Sequence, residues 1–414
     1  MKKGNTKEME KSSEKRVWYE VLEGWVRKMV QRFIQMILEE EVEEFLDRKR
    51  YERRSPVDGN PGYRNGYGKV RRFSMKTGTI KVRRPRVRDT EERFESRILP
   101  LFKRRTEEVG ELLSELYLHG LSRGDFELAL RGLLGDGAPL SVSSIQRLKA
   151  KWEAEYREWK EEDLSKLEVV YMWADGIYVK AGLEKEKAAL LVVIVGLKEI
   201  VAVESGFRES KESWGRVMRD LERRGLKAPK LVIADGNLGI WAAIAEVYPE
   251  VKEQRCWNHK IMNVLDNFPR KVQPEAKEYL MRMVNAESLA ECEKWKRKFK
   301  EVFGSNYPKA CETLDRDWER MVSFYEFPKE HWRHIRTTNV IESPLASVRL
   351  RTYVARRFKK VRNATALIWK VLMVAEKRFR KLNAPHLLED VYNGVRFVNG
   401  RKAKEKKANE VPAA

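Results

Sequence analysis

Cysteine is scarce in this sequence, and the few cysteines present do not form a disulfide pattern. Cys256, Cys292 and Cys311 are the three cysteines among 414 residues, and they are widely spaced. Such a set cannot provide the disulfide framework that stabilises small secreted domains. The chain must therefore fold around hydrophobic cores, and its length allows about two to four domains. Its 42% content of hydrophobic residues is sufficient for such cores.

Long apolar runs are also absent from the sequence. The longest strongly apolar run covers residues 188–197, whereas a membrane-spanning helix needs about 20 such residues. Residues 1–6 carry charge but lack the apolar core of a secretory signal. The sequence therefore predicts a cytoplasmic protein that does not enter a membrane.

Acidic residues are outnumbered by basic ones, 63 to 85, which gives a formal net charge of +22. An excess of this size points to a polyanionic partner, most simply nucleic acid. Residues 48–88 contain 15 Lys and Arg but only two acids. Within them, a loop rich in Gly and Asn precedes a predicted hairpin about residues 76–78.

We predict that this basic region contacts double-stranded DNA, which would make the protein nucleoid-associated. Basic side chains interleaved with Tyr63, Tyr67 and Phe73 suit phosphate contacts with occasional stacking. A solvated charged surface is the alternative. The candidate phosphate contacts are Arg64, Arg71, Arg72 and Arg84.

Apolar residues recur at helical spacing between Val17 and about Leu46, and they predict an amphipathic helix. We expect this stripe to pack in a core, with protein–protein contact as the alternative. The stripe consists of Trp18, Leu22, Trp25, Met29, Phe33, Met36, Ile37 and Phe45.

Residues 106–160 predict three helices, at 107–119, 122–134 and from Ser144 onward. Short helices with a polar, basic third member are typical of a helix-turn-helix, although a generic helical bundle has the same spacing. In a helix-turn-helix, the residues that face the DNA groove would be Ser144, Gln146, Arg147 and Lys149.

Residues 167–256 alternate between strands and helices. Short turns make the first three strands an antiparallel meander, whereas crossover helices make the later strands parallel. This is a ribonuclease H-like order, in which the first and fourth strands are parallel neighbours. The predicted strands cover 167–175, 188–197, 199–204, 231–234 and 251–256, and the predicted helices 210–224 and 238–247.

Asp175 and Asp235 end the first and fourth predicted strands, and a glycine follows each of them. Because the ends of parallel neighbours lie side by side, the two carboxylates should meet. Hard cations such as Mg²⁺ prefer oxygen ligands. Two carboxylates are few for a site with two metal ions, so a third carboxylate is expected from elsewhere in the chain. The helix expected after the fifth strand begins near Asn339 and carries Glu342, although the two residues also fit a capping box.

Four segments occur in an order that resembles one known family. Residues 173–179, 232–244, 254–259 and 336–342 are similar to the motifs of Mutator-superfamily transposases of bacterial and archaeal insertion sequences. The resemblance covers roughly residues 45–380. It implies an α/β fold with a ribonuclease H-like catalytic core, interrupted by an all-helical insertion and preceded by a mainly helical DNA-binding region.

The resemblance also implies site residues and partners. It implies a DDE triad of Asp175, Asp235 and Glu342 that holds Mg²⁺ or Mn²⁺, with Cys256 and His259 as a nearby Cys-x-x-His element. The substrates would be terminal inverted repeats and target DNA, which a homodimer or higher oligomer would pair. Strand cleavage followed by strand transfer would be the reaction.

Cys256 and His259 by themselves make half of a zinc site. His331 and His334 could supply the other half from one helix face. We favour the alternative, in which Cys256 and His259 pack beside the active site.

The chain departs from the family pattern at Ser343-Pro344, directly after Glu342. Proline is tolerated in the first turn of a helix, so Ser343 could be the N-cap with Pro344 at the first position. Glu342 would then precede the helix and reach the metal ions less well, as in an inactive copy.

The basic stretch 349–362 offers a further track for the phosphate backbone, with Arg349, Arg351, Arg356 and Arg357 as candidate contacts. Two other functions fit the same residues, a nuclease that cuts without strand transfer and a transposase-derived DNA-binding regulator. The predicted domains are an N-terminal helix with the basic hairpin region (1–105), a helix-turn-helix-like domain (106–160), the catalytic core (167–266 and 336–382), the helical insertion (267–335) and a basic tail (383–414).

Overall fold

A long helix, α1 (Gly4–Leu46), opens the first of the two units into which the chain divides, residues 1–148 and 149–414. We describe each unit by itself. The computed structural model describes residues 4–54, 61–100, 104–119, 121, 134, 142–181, 187–196, 198–206, 208–355, 358 and 360–403.

Four short strands follow α1 in the first unit, and they pair in two antiparallel ribbons. The first ribbon pairs the first and fourth strands, and the second pairs the middle two. In the second ribbon Met75 pairs with Gly78, which confirms the predicted hairpin. The strands are β1 (Tyr63–Tyr67), β2 (Arg71–Met75), β3 (Gly78–Val82) and β4 (Pro85–Arg88).

One face of α1 packs on this hairpin. Leu38 lies in a buried cluster that also contains Phe73, Ile80, Val82 and Leu99. The Gln35 side-chain amide fixes the contact, since it donates to the Arg83 carbonyl and accepts from the Arg83 N–H. The helix therefore has one well-covered side.

The prediction that the apolar stripe of α1 packs in a core is wrong for most of its length. Ile37 and Phe45 are half-buried, but the other members face away from the hairpin. The reason is that α1 is apolar on two opposite sides, and the first unit covers one of them. The exposed members are Trp18, Leu22, Trp25, Met29, Phe33 and Met36.

Helices α2 (Glu107–Leu118) and α3 (Val142–Trp159) correspond to the first and third predicted helices. Most of the second predicted helix, together with both turns, lies outside the described residues. The helix-turn-helix therefore stays a prediction.

A five-stranded mixed sheet is the centre of the second unit. Its order is β7-β6-β5-β8-β9, with β5, β6 and β7 antiparallel and β8 and β9 added in parallel. This strand order is the one that the sequence predicts. The strands are β5 (Tyr171–Lys180), β6 (Lys187–Val195), β7 (Glu199–Gly206), β8 (Leu231–Ala234) and β9 (Lys252–Arg255).

The predicted end of the first strand is wrong, because β5 continues past Asp175 to Lys180. Its pairing with β6 runs as far as Lys180, whereas its pairing with β8 ends at Ala174. Asp175 therefore lies inside a strand, at the point where one of its two neighbours stops.

Helices cover the two faces of the sheet. On one face, Met172 and Ala174 pack against α4 (Lys211–Arg223) and α5 (Leu238–Val247). On the other, the Trp173 indole donates to the His334 carbonyl at 2.9 Å. Since side chains alternate along a strand, Asp175 shares the face of Trp173.

The chain after β9 is mainly helical, and it becomes so at Trp257 rather than at the expected Asn267. The unit as a whole is therefore mixed α/β. Among the described residues, no helix is both long and apolar enough to cross a membrane. The remaining helices are α6 (Trp257–Leu265), α7 (Gln273–Val284), α8 (Leu289–Phe303), α9 (Pro308–Asp315), α10 (Trp318–Val322), α11 (Trp332–Ile335), α12 (Asn339–Ala355), α13 (Val361–Glu376) and α14 (Leu387–Tyr392), and a last ribbon pairs β10 (Phe397–Val398) with β11 (Arg401–Lys402).

Candidate functional site

Two carboxylates emerge side by side from the middle of the sheet. Ala174 of β5 pairs with Ala234 of β8 in parallel register, and the next residues are Asp175 and Asp235. Neighbouring strands lie about 4.8 Å apart, so the two carboxylates originate from adjacent backbone positions. The Asp175 carboxylate accepts from the Gly176 N–H at 2.8 Å, and that of Asp235 accepts from the Asn237 N–H at 3.0 Å.

The glycine after each aspartate lets another charged side chain approach. Gly236 has a φ of +101°, and a Cβ on it would lie 2.3 Å from Arg255 Nε. A Cβ on Gly176 would lie 2.4 Å from Glu209 Oε1. Asp235-Gly236 therefore forms a turn, whereas Gly176 lies inside β5 and leaves room for the Glu209 side chain.

The substitution Gly236→Ala should destabilise the second unit by about 1–3 kcal/mol, because alanine is strained at positive φ and its methyl group would displace Arg255. Urea unfolding followed by tryptophan fluorescence measures this loss. Gly24→Ala is the matched control, since a Cβ there meets no atom within 4 Å. Equal stability of the two variants would contradict the expectation.

Glu209 is a third acidic side chain at the site, and the sequence analysis missed it. It lies in the loop between β7 and α4, where its Oε2 accepts from the Asn237 side-chain amide at 3.4 Å. Burial and the charge of Asp235 raise its pKa. Glu209 was not predicted because it lies in a loop, whereas the candidate carboxylates were sought at strand ends. The one sequence feature that marks Glu209 is its position directly before Ser210, which caps α4.

Burial raises the pKa of Asp175 to about 7, and the negative charges of Asp235 and Glu209 add to the effect. The Gly176 N–H and His259 act in the opposite direction. Asp235 and Glu209 thus lie close enough to Asp175 to oppose its ionisation, which is typical of a functional site.

A second cluster joins the start of α6 to the start of α12. The Thr338 backbone N–H and hydroxyl donate to Cys256 Sγ at 3.3 and 3.2 Å, and the hydroxyl also contacts the Glu342 carboxylate. His259 Nδ1 lies 3.9 Å from Glu342 Oε1. In the part of the chain that the structure describes, Cys256, His259 and Glu342 form the one group of potential ligands with all ligand atoms within 4.8 Å.

His259 connects the two clusters electrostatically. Its hydrogen bond with Cys256 raises its pKa to about 9 against the opposing effect of burial, and the charges of Glu342 and Asp235 contribute. His259 is therefore a cation at neutral pH, surrounded by the acidic groups of both clusters.

The substitution Cys256→Ala should lower the His259 pKa by at least about one unit, because it removes the main group that stabilises the imidazolium. An NMR titration of the histidine ring resonances measures the change. The control Cys292→Ala removes another buried cysteine and should leave the His259 titration unchanged. An unaltered pKa in Cys256→Ala would show that Cys256 does not hold the proton on His259.

Glu342 lies in the first turn of α12, which runs unbroken from Asn339 through Pro344. The expected helix that begins near Asn339 and carries Glu342 is therefore confirmed, and the alternative in which Ser343 caps the helix is wrong. The capping box is not formed either, because Asn339 is already helical and its side chain accepts from the Asn258 amide at 2.9 Å. Glu342 is instead oriented by Thr338, and α12 packs against β5.

His331 and His334 make contacts within the fold and stand apart from the Cys256 cluster. His331 Nδ1 lies 2.7 Å from the Tyr171 hydroxyl, and its Nε2 lies 3.1 Å from the Ala384 carbonyl oxygen. His334 Nε2 accepts from the Asn383 N–H at 3.3 Å. These contacts give both histidines a structural role.

The predicted DNA contacts in the basic region differ in exposure. Arg72 is exposed and Arg71 is half-buried. Arg64 pairs with Glu39 at 2.8 Å, and Arg84 donates to the Phe94 carbonyl at 2.8 Å. The same region has exposed basic residues that the sequence analysis did not single out: Lys69, Lys76, Lys81, Arg83, Arg86 and Arg88.

The other predicted DNA contacts also differ in exposure. Arg147 and Arg349 are exposed, and Lys149 is half-buried. Arg351 is buried, with 3% of its surface exposed, so α12 directs it into the fold. Arg356 and Arg357 lie outside the described residues.

Comparison with known proteins identifies the family. Residues 1–381 match the family model described as Transposase, Mutator family. The chain is 45% identical over 297 residues to the transposase for insertion sequence element IS6120 of Mycolicibacterium smegmatis, an alignment covering 71% of this chain and 92% of that protein. It is 41% identical over 278 residues to the transposase for element IST2 of Acidithiobacillus ferrooxidans, covering 66% and 94%. It is also 26% identical over 365 residues to the transposase for element IS256 in transposon Tn4001 of Staphylococcus aureus, covering 86% and 91%. The chain therefore belongs to the Mutator family of transposases.

Proposed function

We propose that this transposase cuts DNA at the ends of a mobile element and joins the freed 3′-OH to target DNA at the site formed by Asp175, Asp235 and Glu342. The observation that carries the proposal is the parallel register of β5 and β8, which places Asp175 beside Asp235. The sheet order and the helical segment before Glu342 also support a ribonuclease H-like core with a helical insertion. The relatives, named as insertion-sequence transposases, support the same class of reaction.

The chemistry of the donor set fits a divalent cation. Asp175, Asp235 and Glu342 offer carboxylate oxygens, which Mg²⁺ and Mn²⁺ prefer as ligands. Burial, together with the charges of Asp235 and Glu209, raises the pKa of Asp175, and a bound cation would favour its ionised form. When bound, such cations activate the attacking oxygen and stabilise the leaving oxygen of a phosphodiester.

Individual residues of the chain have separate roles in the proposed reaction. Asp175 and Asp235 would hold the cation at the edge of the sheet, and Thr338 orients Glu342 through its hydroxyl. The cationic His259 stabilises negative charge that develops on the phosphate. Water first breaks a phosphorus–O3′ bond and leaves a 3′-OH, which then attacks a target phosphate and releases a target 3′-OH.

Exposed basic residues provide surfaces for the phosphate backbone. Arg72 and its exposed neighbours on the first unit, together with Arg349 on the second, offer sequence-independent contacts. Terminal inverted repeats and target DNA are the proposed partners, and a nucleoid-associated location follows from them.

A strand-transfer assay tests the proposal. The full chain is incubated with Mg²⁺, a labelled duplex ending in an inverted repeat of its element with a free 3′-OH, and a plasmid target. Joined products support the proposal. Cleavage of an uncut end without joining would instead identify a nuclease, and binding without either reaction would identify a DNA-binding regulator.

A further inference from the structure

Arg255 ends β9 and packs directly against the turn that follows β8. It pairs with Ala234 in parallel register, so its side chain originates beside the end of β8. A Cβ on Gly236 would clash with Arg255 Nε and Cζ, which shows that the guanidinium covers this glycine. Arg255 is buried, with 8% of its surface exposed. A positive charge is therefore held in a poorly solvated position next to Asp235, a carboxylate that is proposed to bind a cation.

The counter-charge of Arg255 comes from the helical segment between β9 and α12. Arg255 Nη1 donates to the carboxylate of Asp317, a side chain that is 15% exposed. Lys260 Nζ lies 3.9 Å from the same carboxylate oxygen, and Arg320 Nη1 lies 3.1 Å from the other oxygen. Asp317 is thus a shared counter-charge for three basic side chains, of which Arg255 is the one that covers Gly236.

Two features of this ion pair are unfavourable for stability. Asp317 has a φ of +62°, a left-handed conformation that residues other than glycine adopt rarely. Arg255 Nε is buried and has no hydrogen-bond partner among the residues that the structure describes, and an unpaired buried donor is costly. Backbone strain of this kind is concentrated at functional sites. The ion pair is therefore better explained by its position beside Asp235 than by a contribution to the stability of the fold.

We propose that Asp317 is a positioning residue for the metal site, and that it acts through Arg255. An uncompensated positive charge beside Asp235 would repel a cation and compete with it for the carboxylate. By pairing with Arg255, Asp317 neutralises this charge and leaves Asp235 available to the cation. The helical segment between β9 and α12 thereby supports cation binding without contacting the cation. The inference rests on the proposed function, because it requires that Asp235 binds a cation.

Binding of Mn²⁺ to the full chain, measured by electron paramagnetic resonance without DNA, tests the inference. Asp317→Asn should raise the Mn²⁺ dissociation constant about 10-fold or more, as is typical for residues that support metal ligands. Asparagine tolerates a positive φ as aspartate does, so this substitution removes the charge and keeps the backbone conformation. The control Glu253→Gln removes an acid that pairs with Arg320 in the same network and should leave the dissociation constant nearly unchanged.

A double variant separates this role from a loss of structure. Arg255→Met combined with Asp317→Asn removes both charges and keeps an unbranched apolar side chain at position 255, a kind of replacement that buried ion pairs often tolerate. Its Mn²⁺ affinity should be restored to nearly that of the unsubstituted protein. Circular dichroism shows whether each variant is folded, and the double variant is decisive by itself if Asp317→Asn does not fold. A folded Asp317→Asn with unchanged affinity, or a double variant that binds Mn²⁺ at least about 10-fold more weakly than the unsubstituted protein, would overturn the inference.

Failure of the proposed function would give a different result in the same measurement. If Asp235→Asn binds Mn²⁺ as tightly as the unsubstituted protein, Asp235 does not hold the cation, and the proposed site is wrong together with this inference. If Asp235→Asn loses Mn²⁺ while Asp317→Asn keeps it, the proposed site stands and the role of Asp317 alone is overturned.

Discussion

Asp235→Asn should lower DNA cleavage and strand transfer by roughly 1,000-fold or more, which corresponds to about 4 kcal/mol of transition-state stabilisation. The side-chain oxygen of asparagine can still accept the hydrogen bond from the Asn237 N–H, so the turn after β8 is preserved. What is lost is a negative charge next to Asp175. The expected result is therefore a folded protein that has lost its reaction.

The measurement separates binding from chemistry. Duplex binding, followed by fluorescence anisotropy, should change less than about threefold, because phosphate contacts made elsewhere dominate affinity. Strand transfer with a precut donor is measured in parallel. The control Asp266→Asn removes an exposed carboxylate at the end of α6 and should retain full activity. Undiminished cleavage by Asp235→Asn would remove this residue from the proposed site.

The position of Asp235 could be predicted from sequence because its determinants are local. The apolar run 231–234 ends at an Asp-Gly pair, and the structure has β8 (Leu231–Ala234) with those bounds. The helix α5 likewise has the predicted bounds 238–247, and in the structure Asn237 caps it by accepting from the Gly239 N–H. Each of these signals lies within a few residues of the feature that it specifies.

Features that depend on distant partners could not be predicted in the same way. The extension of β5 to Lys180 is set by its pairing with β6 rather than by its own residues. Glu209 reaches the site through a loop, and Thr338 acquires its role from Cys256 across 82 positions. The spacing of the apolar residues in α1 predicted a helix correctly. That spacing could not show which side of the helix packs on the hairpin.

Pro344 shows how a local rule was overridden by its surroundings. An interior proline costs about 3 kcal/mol, so the sequence left open a helix that begins after Glu342. The helix nevertheless begins at Asn339, where Ile341 and Glu342 donate to the Thr338 carbonyl. Ile341 and Leu345 are fully buried, and burial of this kind offsets the loss of one hydrogen bond. Glu342 thereby stays in the cluster with Cys256 and His259.

Asp175→Asn should stabilise the metal-free protein above pH 7 while abolishing its reaction. In the unfolded chain an aspartate has a pKa of about 3.9, whereas burial and neighbouring acids raise the pKa of Asp175 to about 7 in the folded protein. The folded state thus holds the Asp175 proton more tightly than the unfolded state. The cost of ionising Asp175 is absent below about pH 4, grows between pH 4 and 7, and is fully present above pH 7.

Urea unfolding in EDTA, compared at pH 5 and pH 8, measures this cost. The stability difference between Asp175→Asn and the unsubstituted protein should grow by on the order of 2 kcal/mol over that interval. Asp266→Asn should show no such growth, because its carboxylate is exposed. A difference that stays constant with pH would contradict the raised pKa of Asp175. The unsubstituted protein should gain more stability than Asp175→Asn when Mg²⁺ is added at pH 8, since a ligand stabilises the state that binds it. A site that is unstable when empty and stable when filled is what the proposed chemistry requires of Asp175.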